Sequence, residues 1–145
     1  MASSQNGVRR LVQSTDEVAE LATSWLAEMQ SCVRAVDFER CRAIFAADVV
    51  AFGSKAGVVS GLDALEGDQW RHVWPTIHDF TFLIDQIRCG SGGGNQIWMA
   101  CPWTSERTNE HGRHVERAGR MTAVLERRGE TWLAVHTHHS LVPAA

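Results

Sequence analysis

The sequence predicts an α+β fold, with three N-terminal helices packed on an antiparallel sheet. Three observations carry that prediction. The first part of the chain repeats apolar residues at three- and four-residue spacing. The second half alternates apolar and polar residues in runs separated by polar or Gly-rich turns. The last run, from Thr131 to Pro143, is an alternating strand that carries a tryptophan and three histidines. Such groups are costly to bury without partners, so a polar or wet pocket is expected beside one face of it. Period two places Trp132, His136, His138 and Ser140 on one face and His139 on the other.

The elements follow in order. Residues 1–13 are small and polar and read as a loose arm, leaving residues 14–145 as a single domain. Ser14 with Glu17 three residues on forms a capping box. Val18, Leu21, Ala22, Trp25, Leu26, Met29, Cys32, Val33 and Val36 then make one apolar stripe, a helix of about six turns. Asp37 interrupts the stripe. It either caps a short second helix from Phe38 to Ala46 or stands as a carboxylate facing the core between two helices. A hairpin is expected over 48–61, with Gly53 to Gly57 as its turn. A third helix over 62–74 ends at Pro75, because the residue before proline leaves the α region. Four strands are expected next, over 80–89, 96–107, 114–127 and 131–141. Pro102 marks an edge or a bulge in the second of these.

Composition narrows the function. A formal charge of −3 argues against nucleic acid as the main partner. Lys55 is the only lysine among fourteen basic residues; arginine grips carboxylates and phosphates in a planar fork, which admits an Arg-lined pocket for an anionic group. Cys32, Cys41, Cys89 and Cys101 are widely spaced without a CxxC, which argues for neither zinc nor a disulfide framework and for a reduced, cytoplasmic setting. No stretch resembles a signal peptide or a membrane span, so no membrane partner is expected. Tyrosine is absent, which removes it as a general acid or oxyanion donor.

The segments 61–65, 70–75 (Trp-Arg-His-Val-Trp-Pro), 120–129 and 132–140 (Trp-Leu-Ala-Val-His-Thr-His-His-Ser) resemble, in their order, the SnoaL-like branch of the nuclear transport factor 2-like superfamily. The last segment is also similar to the association domain of calmodulin-dependent kinases. The resemblance implies a cone-shaped half-barrel with a curled sheet, helices closing one side, a pocket between, and homodimers paired through the sheet. It implies either a cofactor-independent enzyme or a ligand-binding or oligomerisation module without catalysis.

Two local matches sharpen the enzymatic alternative. Asp37 after Val36 resembles the position of the catalytic Asp of hexachlorocyclohexane dehydrochlorinase, and Trp74-Pro-Thr-Ile-His78 resembles the segment that carries its catalytic His. A carboxylate that fixes an imidazole tautomer makes a sound general base. His78 as base, oriented by Asp37, would suit isomerisation, dehydration, cyclisation or dehydrohalogenation of a small hydrophobic or aromatic molecule. The apolar pocket would draw on Trp25, Trp74 and Trp98. An anion would be held by Arg120, His138, a Trp N–H or backbone amides, Arg120 matching the arginine that opens this strand in SnoaL-like relatives. Arg117 and Arg120 fall on opposite faces of a regular strand, so at most one of them faces the cavity. Each candidate has a plainer use: Trp25 as core, His78 as a surface residue, Arg120 as a solvated or interface arginine. His136 and His138, with His72 or His78, have the residue types of a metal site, but the fold implied is usually metal-free and no metal or other cofactor is expected.

Overall fold

The computed structural model describes residues 15–53 and 57–143. The expected arm, Ser14 of the capping box and most of the hairpin turn lie outside the described residues. Helix α1 (Thr15–Ala35) buries Val18, Ala22, Trp25, Leu26, Met29, Cys32 and Val33, the stripe that its sequence periodicity requires. Asp16 and Glu17 in its first turn and Arg34 in its last complement the helix dipole. The helix closes with Val36 at φ 52° and the Asp37 amide donating to the Cys32 carbonyl at 2.9 Å. This is the turn that normally recruits glycine, here occupied by a β-branched residue. Asp37 then caps α2 (Phe38–Arg42), its carboxylate accepting from the Arg40 amide at 3.1 Å.

The second helix is shorter than expected because the chain enters β1 (Phe45–Phe52) at Phe45. Strand β2 (Val58–Ser60) pairs with it in antiparallel fashion. The third helical segment is broken into α3 (Leu62–Leu65), a π turn (Glu66–Trp70), α4 (Arg71–Val73) and a 3-10 turn (Trp74–Thr76) that contains Pro75. The extra residue of the π turn shifts the helical phase. Gln69 and Trp70, then Val73 and Trp74, thereby all reach the interior side.

The sheet continues with β3 (Ile77–Phe82), β4 (Arg88–Ser91), β5 (Gln96–Thr108), β6 (His114–Arg128) and β7 (Thr131–Leu141). Its order is β2-β1-β7-β6-β5-β3, with β4 also on β5. The sheet is curled and unclosed, and it is mixed rather than wholly antiparallel, because β1 runs parallel to β7. The single strand expected over 80–89 is two strands. Both pair with β5, β3 as far as Trp103 and β4 from Ala100. Pro102 lies between those ladders and has no N–H to donate. Its carbonyl still accepts from the Leu83 amide at 2.9 Å, and the chain detours through a 3-10 turn (Ile84–Gln86).

The core lies between the helices and the inner sheet face. Ile97, Met99, Cys101 and Trp103 of β5 and Met121, Ala123 and Leu125 of β6 are all buried. A run of rings ties the layers together: Trp25 to Phe45 at 5.5 Å, Phe45 to Trp70 at 5.0 Å, Trp70 to Trp74 at 4.8 Å and Trp74 to Phe38 at 5.3 Å. Such pairs add about 0.5–1.5 kcal/mol each beyond their buried area.

Candidate functional site: an aromatic cavity with two basic side chains

A cavity of about 60 Å³ opens between the helices and the sheet. Met29 and Val33 of α1 and Leu65, Gln69, Trp70, Val73 and Trp74 of the broken third helix form its roof. Ile77, Phe80 and Phe52 close its sides, and Trp103, Arg117, Thr137 and His139 form its floor. The wall is therefore mostly aromatic and aliphatic, with a few polar groups at one end, the usual composition of a small-molecule site.

Trp103 organises the polar end. Its ring lies 5.3 Å from Phe80, 6.0 Å from His139 and 5.7 Å from the Arg117 guanidinium carbon. It can lie flat on the sheet because the opposite residue on β6 is Gly119. A Cβ there would stand 2.1 Å from the indole, so only glycine admits the ring. The Trp103 Nε1 and the Ser105 hydroxyl are buried without a hydrogen-bond partner among the described residues.

His139 reaches the floor because β7 contains a bulge. Val124 pairs with His136 and Leu125 with Ala134, so Val135 has no partner on β6. The bulge inverts the alternation. Ala134 is buried before it and Thr137 after it, and His139 follows Thr137 inward. Burial first, then the neighbouring His138 and Arg117, push the His139 pKa down to about 4. The imidazole is thus neutral at physiological pH. Burial, then the nearby Arg107, lowers the Arg117 pKa as well.

The structure does not unite the other sequence candidates. His78 is exposed on β3, its Nε2 3.2 Å from the Thr108 hydroxyl and its ring 5.2 Å from His114. Asp37 caps α2 and approaches Arg40 at 4.0 Å. Neither residue lines the cavity, and no hydrogen bond joins them. A bulge in β3 and Asp79 at φ 54° accompany the outward placement of His78. Arg120 lies on the outer face, where its Nε donates to the Ser140 hydroxyl at 3.0 Å. His138 is exposed beside it, and the cavity-facing partners of these two are Arg117 and His139. Trp74 lines the cavity. Trp25 is in the core with its indole N–H on the Ile44 carbonyl at 3.0 Å, and Trp98 is exposed on the outer face. Among the described residues no group of three His, Cys, Asp or Glu side chains is close enough to hold a metal. None of the described helices is long and apolar enough to cross a membrane.

A cone of helices over a curled sheet with a cavity between them defines a class of domain shared by several solved structures. A nuclear transport factor 2-like superfamily protein from Salmonella enterica superposes with a TM-score of 0.75 at 17% identity, covering 91% of this chain and 95% of that one. A candidate calcium/calmodulin-dependent protein kinase II association domain from Xanthomonas campestris gives 0.72 at 18% identity, covering 92% and 91%. LinA gives 0.71 at 16% identity, covering 86% and 89%. At these identities the likeness is one of fold. No curated protein matches the chain in sequence. The SnoaL-like domain family matches residues 13–145, and the chain belongs to it.

Proposed function

We propose that this SnoaL-like domain binds a small hydrophobic or aromatic molecule in the Trp103 cavity and transfers a proton on it without a cofactor. The reaction would be of isomerase, dehydratase, cyclase or dehydrohalogenase type. The observation that carries the reading is a neutral imidazole, His139, held inside an otherwise aromatic cavity beside a guanidinium. A neutral imidazole can accept a proton from carbon, and Arg117 can stabilise the oxyanion or leaving anion that results. His78 and Asp37 take no part in this reading, since they stand outside the cavity and apart.

A second reading is a ligand-binding or oligomerisation module without catalysis. The low pKa of His139 favours it, because an efficient base titrates close to the working pH. In both readings the protein is a cytoplasmic homodimer that pairs through its outer sheet face, with no nucleic-acid partner. The two separate in one experiment. With 2-tetralone in deuterated buffer, NMR reports binding and α-hydrogen exchange together. Catalysis predicts exchange above the buffer rate, abolished in His139→Ala. Binding without exchange leaves the module reading; exchange that persists in His139→Ala removes His139 as the base.

A further inference from the structure

We infer that the molecule held in this cavity carries a carboxylate, which docks on Arg117 at the Trp103 end; the inference rests on the small-molecule reading of the cavity. Arg117 is half-covered and lies over an indole ring, yet among the described residues no carboxylate pairs with it. Its neighbours make the need for an anion greater. Arg107 adds a second positive charge nearby, and it too has no ion pair among the described residues. The adjacent carboxylates are directed elsewhere. Glu106 and Glu116 face each other across β5 and β6, one residue off the row that holds Ser105 and Arg117, and alternation puts them on the opposite face. Glu106 is moreover engaged by the His114 Nδ1 at 3.0 Å.

The remaining polar inventory at this end is rich in donors. The Trp103 indole N–H donates and cannot accept, and it is buried without a partner among the described residues. The Ser105 hydroxyl, directly across the ladder from Arg117 but not in the cavity wall, is likewise buried and unpartnered among the described residues. Natural structures rarely leave such groups orphaned; the indole N–H lacks an acceptor, while a hydroxyl both donates and accepts. A carboxylate supplies two oxygens with about four lone-pair sites and matches the planar fork of a guanidinium. The rest of the cavity is walled by Phe80, Trp70 and Trp74, which fits an aromatic or aliphatic body behind that head. An aromatic carboxylic acid therefore satisfies the charge and the apolar wall together.

Equilibrium titration of the full chain with 2-naphthoate and with its neutral isostere 2-naphthamide tests this. The wild type is expected to bind the carboxylate at least about tenfold more tightly than the amide. Arg117→Gln is expected to erase that preference while leaving the amide affinity within about threefold. Arg117→Lys, which keeps the charge and loses the fork, is expected to retain part of it, and it serves if the glutamine variant fails to fold. Equal affinities in the wild type overturn the carboxylate inference and leave the cavity reading standing. A preference that survives Arg117→Gln also overturns it. Failure of both compounds to bind overturns the cavity reading together with the inference.

Discussion

The Arg117 guanidinium stands 5.7 Å from the centre of the Trp103 ring, on the inner face of the sheet, with no anionic partner among the described residues. A cation over an indole gains about 0.5–2 kcal/mol. Removing a charge from water costs more than that unless it is paired. The partly desolvated guanidinium therefore works against folding. Arg117→Met, which keeps the stem and deletes the charge, is expected to raise stability by about 1 kcal/mol. The denaturant midpoint of the ligand-free protein measures it. A midpoint that falls by a comparable amount would mean that Arg117 is compensated within the fold.

His139 makes stability depend on pH. Its folded pKa, about 4, lies below the ordinary histidine value of 6.5. Between those values the unfolded chain binds the extra proton and the folded one does not, so stability falls as pH is lowered. The loss begins near pH 6.5 and levels off below about 4, reaching at most a few kcal/mol. His139→Gln is expected to remove this component, leaving a shallower slope of unfolding free energy across that window. Unchanged slopes in the two proteins would show that other groups control the acid limb.

The same residues mark what was legible in the sequence. The fold was readable because the stripe of α1 and the alternation of β5 and β6 are set by local periodicity, and that periodicity survives into the structure. The site was less so. A single unpaired residue, Val135, reverses the alternation of β7 and exchanges His138 for His139 at the cavity. On β6 the alternation is regular, and parity puts either Arg117 or Arg120 inside. Gly119 held the deciding signal: an isolated glycine in a strand often means that a ring lies over it, and here Trp103 does. The pairing of His78 with Asp37 depended on long-range placement. Neither the capping role of Asp37 nor the bulge in β3 brings the two together.

That separation has energetic consequences. Asp37→Ala is expected to cost about 1 kcal/mol through the lost cap on α2. His78→Ala, at an exposed position, is expected to change stability by less than about 0.5 kcal/mol. The double variant should show the sum of the two, since residues without shared partners are additive within about 0.5 kcal/mol. Chemical denaturation of the four proteins closes the cycle. A coupling well beyond that margin would place the two side chains in one network and revive a His78–Asp37 pair.

Val36 is a separate test of backbone strain. A left-handed conformation costs an L-residue with a β-branched side chain roughly 1–2 kcal/mol, while glycine enters it freely. The greater freedom of glycine in the unfolded chain offsets part of the gain. Val36→Gly is thus expected to stabilise the protein by up to about 1 kcal/mol, read as a higher thermal midpoint, without altering ligand affinity.

The outer face carries the expectation about assembly. Val50, His136, Val124 and Trp98 occupy one cross-strand row on β1, β7, β6 and β5. Trp98 is 41% exposed and Val50 39%, which sets large apolar groups in the open on a broad sheet. His136 is held in that row by its Nδ1–H, which donates to the Val50 carbonyl at 2.7 Å. If a second copy covers this face, Trp98→Glu buries a charge at the contact and is expected to yield monomers by sedimentation at concentrations where the wild type is dimeric. Trp98→Phe keeps an aromatic ring there and is expected to remain a dimer. A wild type that sediments as a monomer throughout the micromolar range, or a Trp98→Glu variant that stays dimeric, would move the interface away from this row.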